Sequence, residues 1–206
     1  MDNEKEKPQT DKKPGLIRRF FRWWCRPSRM ALGTLLVAGI VIALVGVLGF
    51  NMTMSYISSE KFCISCHEMR DHAYTEYMQS SHYTNASGFK ATCSDCHVPK
   101  PFIPMMISKF EGLRDIYGSM TGLIDTPEKY EQHRLAMAQR VWDRMKGNDS
   151  RECRNCHSFE YMDLAQQKTA SAQFHTYEID QQQTCIDCHK GIVHQLPNME
   201  GIDTGF

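Results

Sequence analysis

Cys63-Ile64-Ser65-Cys66-His67 is the first of four copies of one pattern. The others are Cys93-Ser94-Asp95-Cys96-His97, Cys153-Arg154-Asn155-Cys156-His157 and Cys185-Ile186-Asp187-Cys188-His189. Together they take eight of the nine cysteines. The spacing has a chemical reading. Two thiols three residues apart can add across the two vinyl groups of one porphyrin, and the adjacent histidine then reaches the iron from the same side. A zinc site does not require a histidine directly after every cysteine pair. A thioredoxin-like redox motif would occur once, beside a βαβ unit. A disulfide framework would not repeat one local pattern four times. The four motifs therefore predict four covalently bound haem c groups, on Cys63 and Cys66, Cys93 and Cys96, Cys153 and Cys156, and Cys185 and Cys188.

Working outward, the motifs fall into two pairs, because their first cysteines are 30, 60 and 32 residues apart. Each pair has a free histidine before its second motif: His82 lies 11 residues before Cys93, and His175 lies 10 before Cys185. Both second motifs read Thr-Cys-x-Asp-Cys-His. The pattern predicts a duplicated two-haem unit, in which His82 and His175 each ligate a haem of the other half. His194 follows His189 by five residues, and the matching place after His97 is Phe102, which cannot ligate iron. One haem should thus lack a histidine partner. The first motif, with Met69 two residues past His67, is the candidate, and its iron ligand is His67 or Met69.

The predicted fold is mainly α with much irregular structure. Thr126-Pro127-Glu128 carries a capping hydroxyl, a first-turn proline and an acid near the positive end of the dipole. Tyr130, His133, Met137, Val141 and Met145 then recur at helical spacing up to Gly147-Asn148, which ends the helix. A shorter helix is predicted over 108–119. From residue 60 onward there are 147 residues, too few to wrap four haems separately. The porphyrins should form much of the core, with methionines filling irregular gaps around them.

Ahead of the motifs, Ala31 to Phe50 is a run of twenty uncharged residues. As a helix it is about 30 Å long, the thickness of a bilayer's hydrocarbon core. Residues 12–29 before it hold seven Lys/Arg and no acid, which assigns that side to the cytoplasm. The formal net charge of zero hides this basic end and a compensating acidic remainder, a balance that fits a lipid bilayer and no nucleic acid. The predicted organisation is a cytoplasmic basic tail at 1–29, with 1–15 disordered, a transmembrane anchor helix at 30–57, and a periplasmic tetrahaem domain at 58–206.

The anchor, the two motif pairs, the run Cys63-Ile-Ser-Cys-His-Glu-Met-Arg70 and the run Glu152-Cys-Arg-Asn-Cys-His157 resemble the NapC/NirT family of membrane-anchored tetrahaem quinol dehydrogenases. The resemblance covers nearly the whole chain. It implies a single-pass protein of the cell inner membrane, taking electrons from membrane quinol (menaquinol or ubiquinol) in anaerobic respiration. It implies delivery to a periplasmic reductase, nitrate reductase or its cytochrome subunit. The competing readings are a tethered electron carrier with no quinol site of its own and a hub donor to nitrite or other reductases. Matched to the family, Met69 corresponds to a methionine that binds the first iron in place of the motif histidine. The same matching implies His97 with His175 at haem 2, His157 with His194 at haem 3, and His189 with His82 at haem 4. A small relative borrows its haem 2 ligand from a partner, so this chain departs from that pattern. Gly112-Leu-Arg-Asp115-Ile-Tyr117 resembles the segment whose acid sits at the open face of haem 1. Lys109 resembles the quinol-site lysine, with one residue fewer between it and the acid.

Overall fold

The computed structural model describes residues 15–25, 27, 30–181 and 183–201. The predicted disordered tail, apart from Gly15, lies outside them. The chain divides into two compact units, Met1–Asn51 and Met52–Phe206. Among the described residues every regular element is helical.

In the first unit, α1 (Leu16–Trp24) is a short helix with no buried side chain. α2 (Leu32–Tyr56) carries no charged residue over 25 residues, and its length of about 37 Å makes it long and apolar enough to cross a membrane. Asn51 satisfies its amide inside the helix by donating to the Val47 carbonyl at 2.8 Å.

The second unit is built from short helices around the motifs. α3 (Glu60–Cys63) is capped by Ser59, whose hydroxyl oxygen accepts from the Phe62 N–H at 3.2 Å. A π-helical turn, Met69–Tyr74, runs into α4 (Thr75–Tyr77). α5 (Cys93–His97) starts at Thr92, whose N–H donates to Asp95 Oδ2 at 2.8 Å. The predicted helix over 108–119 is two helices, α6 (Phe102–Glu111) and α7 (Leu113–Met120), meeting at Gly112. The first of them starts ahead of 108: Pro101 is its N-cap and Pro104 lies in the first turn, where the missing N–H has no intrahelical partner to lose.

α8 (Pro127–Gly147) has the predicted start and end: Thr126 accepts from the Lys129 N–H at 3.3 Å, and Asn148 is the C-cap. α9 (Arg151–Arg154) follows Asp149 and Ser150, both at positive φ, 58° and 47°. Ser150 is fully buried and its hydroxyl oxygen accepts from the Ile186 N–H at 3.1 Å. That bond ties the third motif to α11 (Cys185–Cys188). α10 (Thr169–Gln181) lies between them in sequence. The buried apolar side chains among the described residues are Tyr77, Ile124, Tyr130, Met145 and Ile186. Polypeptide alone supplies little interior here, which fits prosthetic groups as packing partners.

At α11, Asp187 Oδ2 accepts from the N–H and hydroxyl of Thr184, both at 2.9 Å, while Oδ1 accepts from Lys146 Nζ at 2.8 Å. Burial pushes the Asp187 carboxyl up, but hydrogen bonds from Lys146 and Thr184 outweigh it and the net shift is downward. A depressed folded pKa gives stability that is present above the ordinary aspartate range, about 4, and lost as pH falls through the folded value. Asp187→Asn should therefore cost a few tenths to about 1 kcal/mol at neutral pH. It should also flatten the acid limb of a denaturation-midpoint profile, as followed by circular dichroism across that range.

Candidate functional site

Each motif lies on or beside a short helix, α3, α5, α9 or α11. In α5, which spans its whole motif, helical spacing puts the cysteines at i and i+3 and the histidine at i+4 on one side. The motifs then meet in chain order. The Cys63 and Cys93 side chains share a hydrogen bond, as do those of Cys153 and Cys185. Each shared hydrogen bond lowers one thiol, Cys63 or Cys185, and raises the other, Cys93 or Cys153. Cys96 lies close enough to Cys156 to feel its charge, although desolvation is the larger cause of its upward shift. Motif 1 therefore adjoins motif 2, motif 2 adjoins motif 3, and motif 3 adjoins motif 4.

Three motif histidines face a free histidine. The ring centroids of His97 and His194 are 6.2 Å apart, those of His157 and His82 6.1 Å, and those of His189 and His175 5.9 Å. Two imidazoles bonded to one metal from opposite sides, at about 2 Å each, place their centroids roughly 6 Å apart. The donor set fits haem iron. It does not fit a tetrahedral zinc ion, because no cluster of three or more His, Cys, Asp or Glu suited to a metal ion occurs among the described residues. Desolvation pushes His97 down to about 4, and shifts His82, His189 and His194 downward too. These rings are held neutral, the state in which imidazole binds metal.

His97 faces His194, His157 faces His82 and His189 faces His175, whereas the family resemblance matches His175, His194 and His82 to those three motifs in turn. Gly191, at φ 75°, turns the chain just after motif 4; a Cβ there would meet Leu196 Cγ at 2.8 Å. The turn carries His194 back towards motif 2. His175, on α10, donates from Nδ1 to Gln167 Oε1 at 2.6 Å, which leaves Nε2 as its free nitrogen.

Motif 1 is different. His67 Nε2 lies 3.4 Å from Glu68 Oε1, with His67 half exposed and Glu68 fully buried. The same carboxylate oxygen accepts from the Ser119 hydroxyl at 2.9 Å. Met69 opens the π-helical turn. The two remaining histidines have other contacts: His72 stacks on Tyr130 with centroids 4.4 Å apart, and His133 Nδ1 donates to the Lys129 carbonyl at 2.9 Å.

Lys109 and Asp115 sit on the successive helices α6 and α7. Lys109 Nζ donates to the Ile57 carbonyl at 2.9 Å, just past the end of α2. Desolvation pushes its ammonium down, opposed by the nearby Cys63. Asp115 reaches the surface, yet enough protein crowds it that desolvation pushes its carboxyl up against the field of Arg140, Arg114 and Arg144.

Motif helices that meet in order, each with its cysteine pair, and facing imidazoles define a multihaem c-type cytochrome. The NapC/NirT cytochrome c family, N-terminal region, matches residues 26–199, and the chain belongs to that family. It is 56% identical over 197 residues to the cytochrome c-type protein NapC of Escherichia coli (strain K12), covering 96% of this chain and 98% of the relative. It is 48% identical over 173 residues to the denitrification system component NirT of Stutzerimonas stutzeri, covering 84% and 86%. It is 43% identical over 194 residues to the cytochrome c-type protein NapC of Paracoccus pantotrophus, covering 93% and 82%. No solved structure matches the chain.

Proposed function

We propose that the chain is a quinol dehydrogenase of the cell inner membrane, anchored by α2 with its N-terminus in the cytoplasm. It carries four covalent haems as two dihaem repeats and delivers electrons to a periplasmic reductase, nitrate reductase or its cytochrome subunit. The observation that carries this reading is the unbroken order of motifs 1 to 4 in a chain with a membrane-length helix just before motif 1. The thiol contacts between Cys63 and Cys93 and between Cys153 and Cys185 support the paired repeats. The S. stutzeri relative is a denitrification system component, which supports a nitrogen-oxyanion reductase as acceptor.

Bound haem supplies one-electron oxidation and reduction at potentials set by its axial ligands. The chain's own residues do the rest. His97 with His194, His157 with His82, and His189 with His175 are the ligand pairs the ring contacts favour. At haem 1, Met69 is favoured over His67, because the buried Glu68 carboxylate, itself held by the Ser119 hydroxyl, lies 3.4 Å from His67 Nε2. Quinol oxidation releases two protons. A desolvated carboxyl keeps affinity for a proton, so Asp115 is suited to take one at its carboxylate. Lys109 fixes α6 to the end of α2 through Ile57 and has two further N–H donors for a quinone oxygen.

Asp115→Asn should slow reduction of the purified holoprotein by a quinol analogue about 10²-fold and leave reduction by dithionite unchanged. Unchanged quinol kinetics removes Asp115 from the site. Failure of the unsubstituted holoprotein to accept electrons from quinol removes the dehydrogenase reading in favour of a tethered carrier.

A further inference from the structure

α1 reads Leu-Ile-Arg-Arg-Phe-Phe-Arg-Trp-Trp over residues 16–24. At about 100° per residue, Arg18, Arg19 and Arg22 share one arc of the helix. Leu16, Ile17, Phe20, Phe21, Trp23 and Trp24 fill the opposite face. All six apolar side chains are more than half exposed, and the helix buries nothing. The Phe20 ring lies 6.0 Å from that of Phe21, 6.1 Å from that of Trp23 and 5.8 Å from that of Trp24, so the apolar face is one continuous aromatic surface. Such a surface needs a cover.

Three observations identify the cover. Seven residues, 25–31, separate α1 from α2, and fully extended they reach at most about 25 Å. α1 is thus tethered within a short distance of wherever the first turn of α2 meets the membrane surface. Its charge is all of one sign, and Lys12, Lys13, Arg26 and Arg29 extend the basic character on both sides with no acid among them. Its residue types, aromatic on one face and arginine on the other, are those of helices that lie in the plane of a bilayer interface.

We propose that α1 is a second, in-plane membrane anchor that sinks its aromatic face into the leaflet and sets its arginine face against acidic phospholipid headgroups. The proposal rests on the reading of α2 as a membrane span. Each arginine near an acidic surface strengthens the association about fivefold, so α1 binds an acidic leaflet more firmly than a zwitterionic one. It fixes the basic end of the chain on the surface instead of leaving it as a loose tail.

The test uses the full haem-loaded chain in lipid nanodiscs of phosphatidylcholine, with and without phosphatidylglycerol. With the motif cysteines carrying haem, Cys25 is the thiol left to remove, and a Cys25→Ser background accepts one spin label at a time. Labels at Phe20→Cys, Arg22→Cys and Val41→Cys are compared by power saturation with oxygen and with a nickel chelate. Position 41, within α2, should collide with oxygen and not nickel. Position 20 should favour oxygen several-fold over position 22, which should favour nickel. The contrast should grow with phosphatidylglycerol and shrink by half or more in Arg18→Gln/Arg19→Gln. If position 41 is open to nickel, the membrane span fails and takes the proposal with it. If position 41 passes but 20 and 22 are equally open to nickel, α1 lies in water and the proposal alone fails. Shielding of position 20 from both reagents means that a protein surface or a second copy covers it, and overturns the lipid assignment. Contrast indifferent to lipid charge and to the arginines overturns the headgroup contact.

Discussion

Arg134→Ala should destabilise the unit Met52–Phe206 by about 3–5 kcal/mol, the cost of leaving a buried charge without its partner. Arg134 is 8% exposed. Its guanidinium donates to both oxygens of Glu76, at 2.6 and 3.1 Å, to both of Glu131, at 2.6 and 2.8 Å, and to the Gln195 carbonyl at 3.2 Å. Glu76 is as buried as the arginine, whereas Glu131 is largely exposed. Removing the arginine therefore strands Glu76, and the loss falls there. Glu76 also accepts from the Gln195 N–H at 3.0 Å and stands 3.7 Å from His194 Nδ1. The ion pair thus joins α4, α8 and the segment that carries His194. Thermal denaturation followed by far-ultraviolet circular dichroism should show the midpoint lowered by about 10 °C. Adding Glu76→Gln should recover part of it, because the stranded charge is then gone. A midpoint that falls by less than about 2 °C would mean that water reaches the pair and screens it.

Arg134 also marks where the sequence stops being readable. Both ends of α8 follow from local chemistry: a threonine cap, a first-turn proline and a terminal Gly147-Asn148. So do the two ends of its inward face, since Tyr130 and Met145 are buried as their spacing requires, while His133, Met137 and Val141 are partly exposed. Arg134 is four residues after Tyr130 and on the same face. A charge there reads as a boundary to solvent, because the buried carboxylate paired with it is 58 residues upstream. The split of the 108–119 helix at Gly112, and its earlier start, were hidden for a related reason. A proline in the first turn and one in the interior look alike until the helix start is known. The motifs and the long apolar run needed no tertiary information, because their chemistry is written in consecutive residues.

The histidines divide along the same line. Their residue type and number pointed to His82, His175 and His194, and each of these does face a motif histidine. Which one it faces depends on the path of the chain. His82 and His175 occupy matching positions in the repeat, yet His82 reaches across to motif 3 while His175 stays with motif 4 of its own half. Sequence symmetry implied equivalent roles. The chain turns at Gly191, at φ 75°, before His194, whose ring lies beside that of His97, while His175 lies beside His189.

The ring inclinations give the holoprotein a spectroscopic signature. The rings of His82 and His157 are inclined at 78°, close to perpendicular, whereas His97 with His194 and His175 with His189 are inclined at 42° and 39°. Near-perpendicular imidazoles leave the iron d orbitals almost degenerate and give a highly anisotropic low-spin signal, while moderate angles give ordinary rhombic ones. Low-temperature electron paramagnetic resonance of the oxidised protein should therefore resolve one highly anisotropic haem, two rhombic haems, and one high-spin haem at motif 1. His82→Ala should remove the anisotropic signal alone and add a second high-spin haem. His175→Ala and His194→Ala should each remove a rhombic signal and leave the anisotropic one in place. The pairing His189 with His82 and His157 with His194 predicts another pattern, in which His194→Ala acts on the haem of His157. If His194→Ala abolishes the anisotropic signal, His194 and not His82 is the second ligand of that haem. Loss of that signal in His82→Ala alone makes His82 its second ligand.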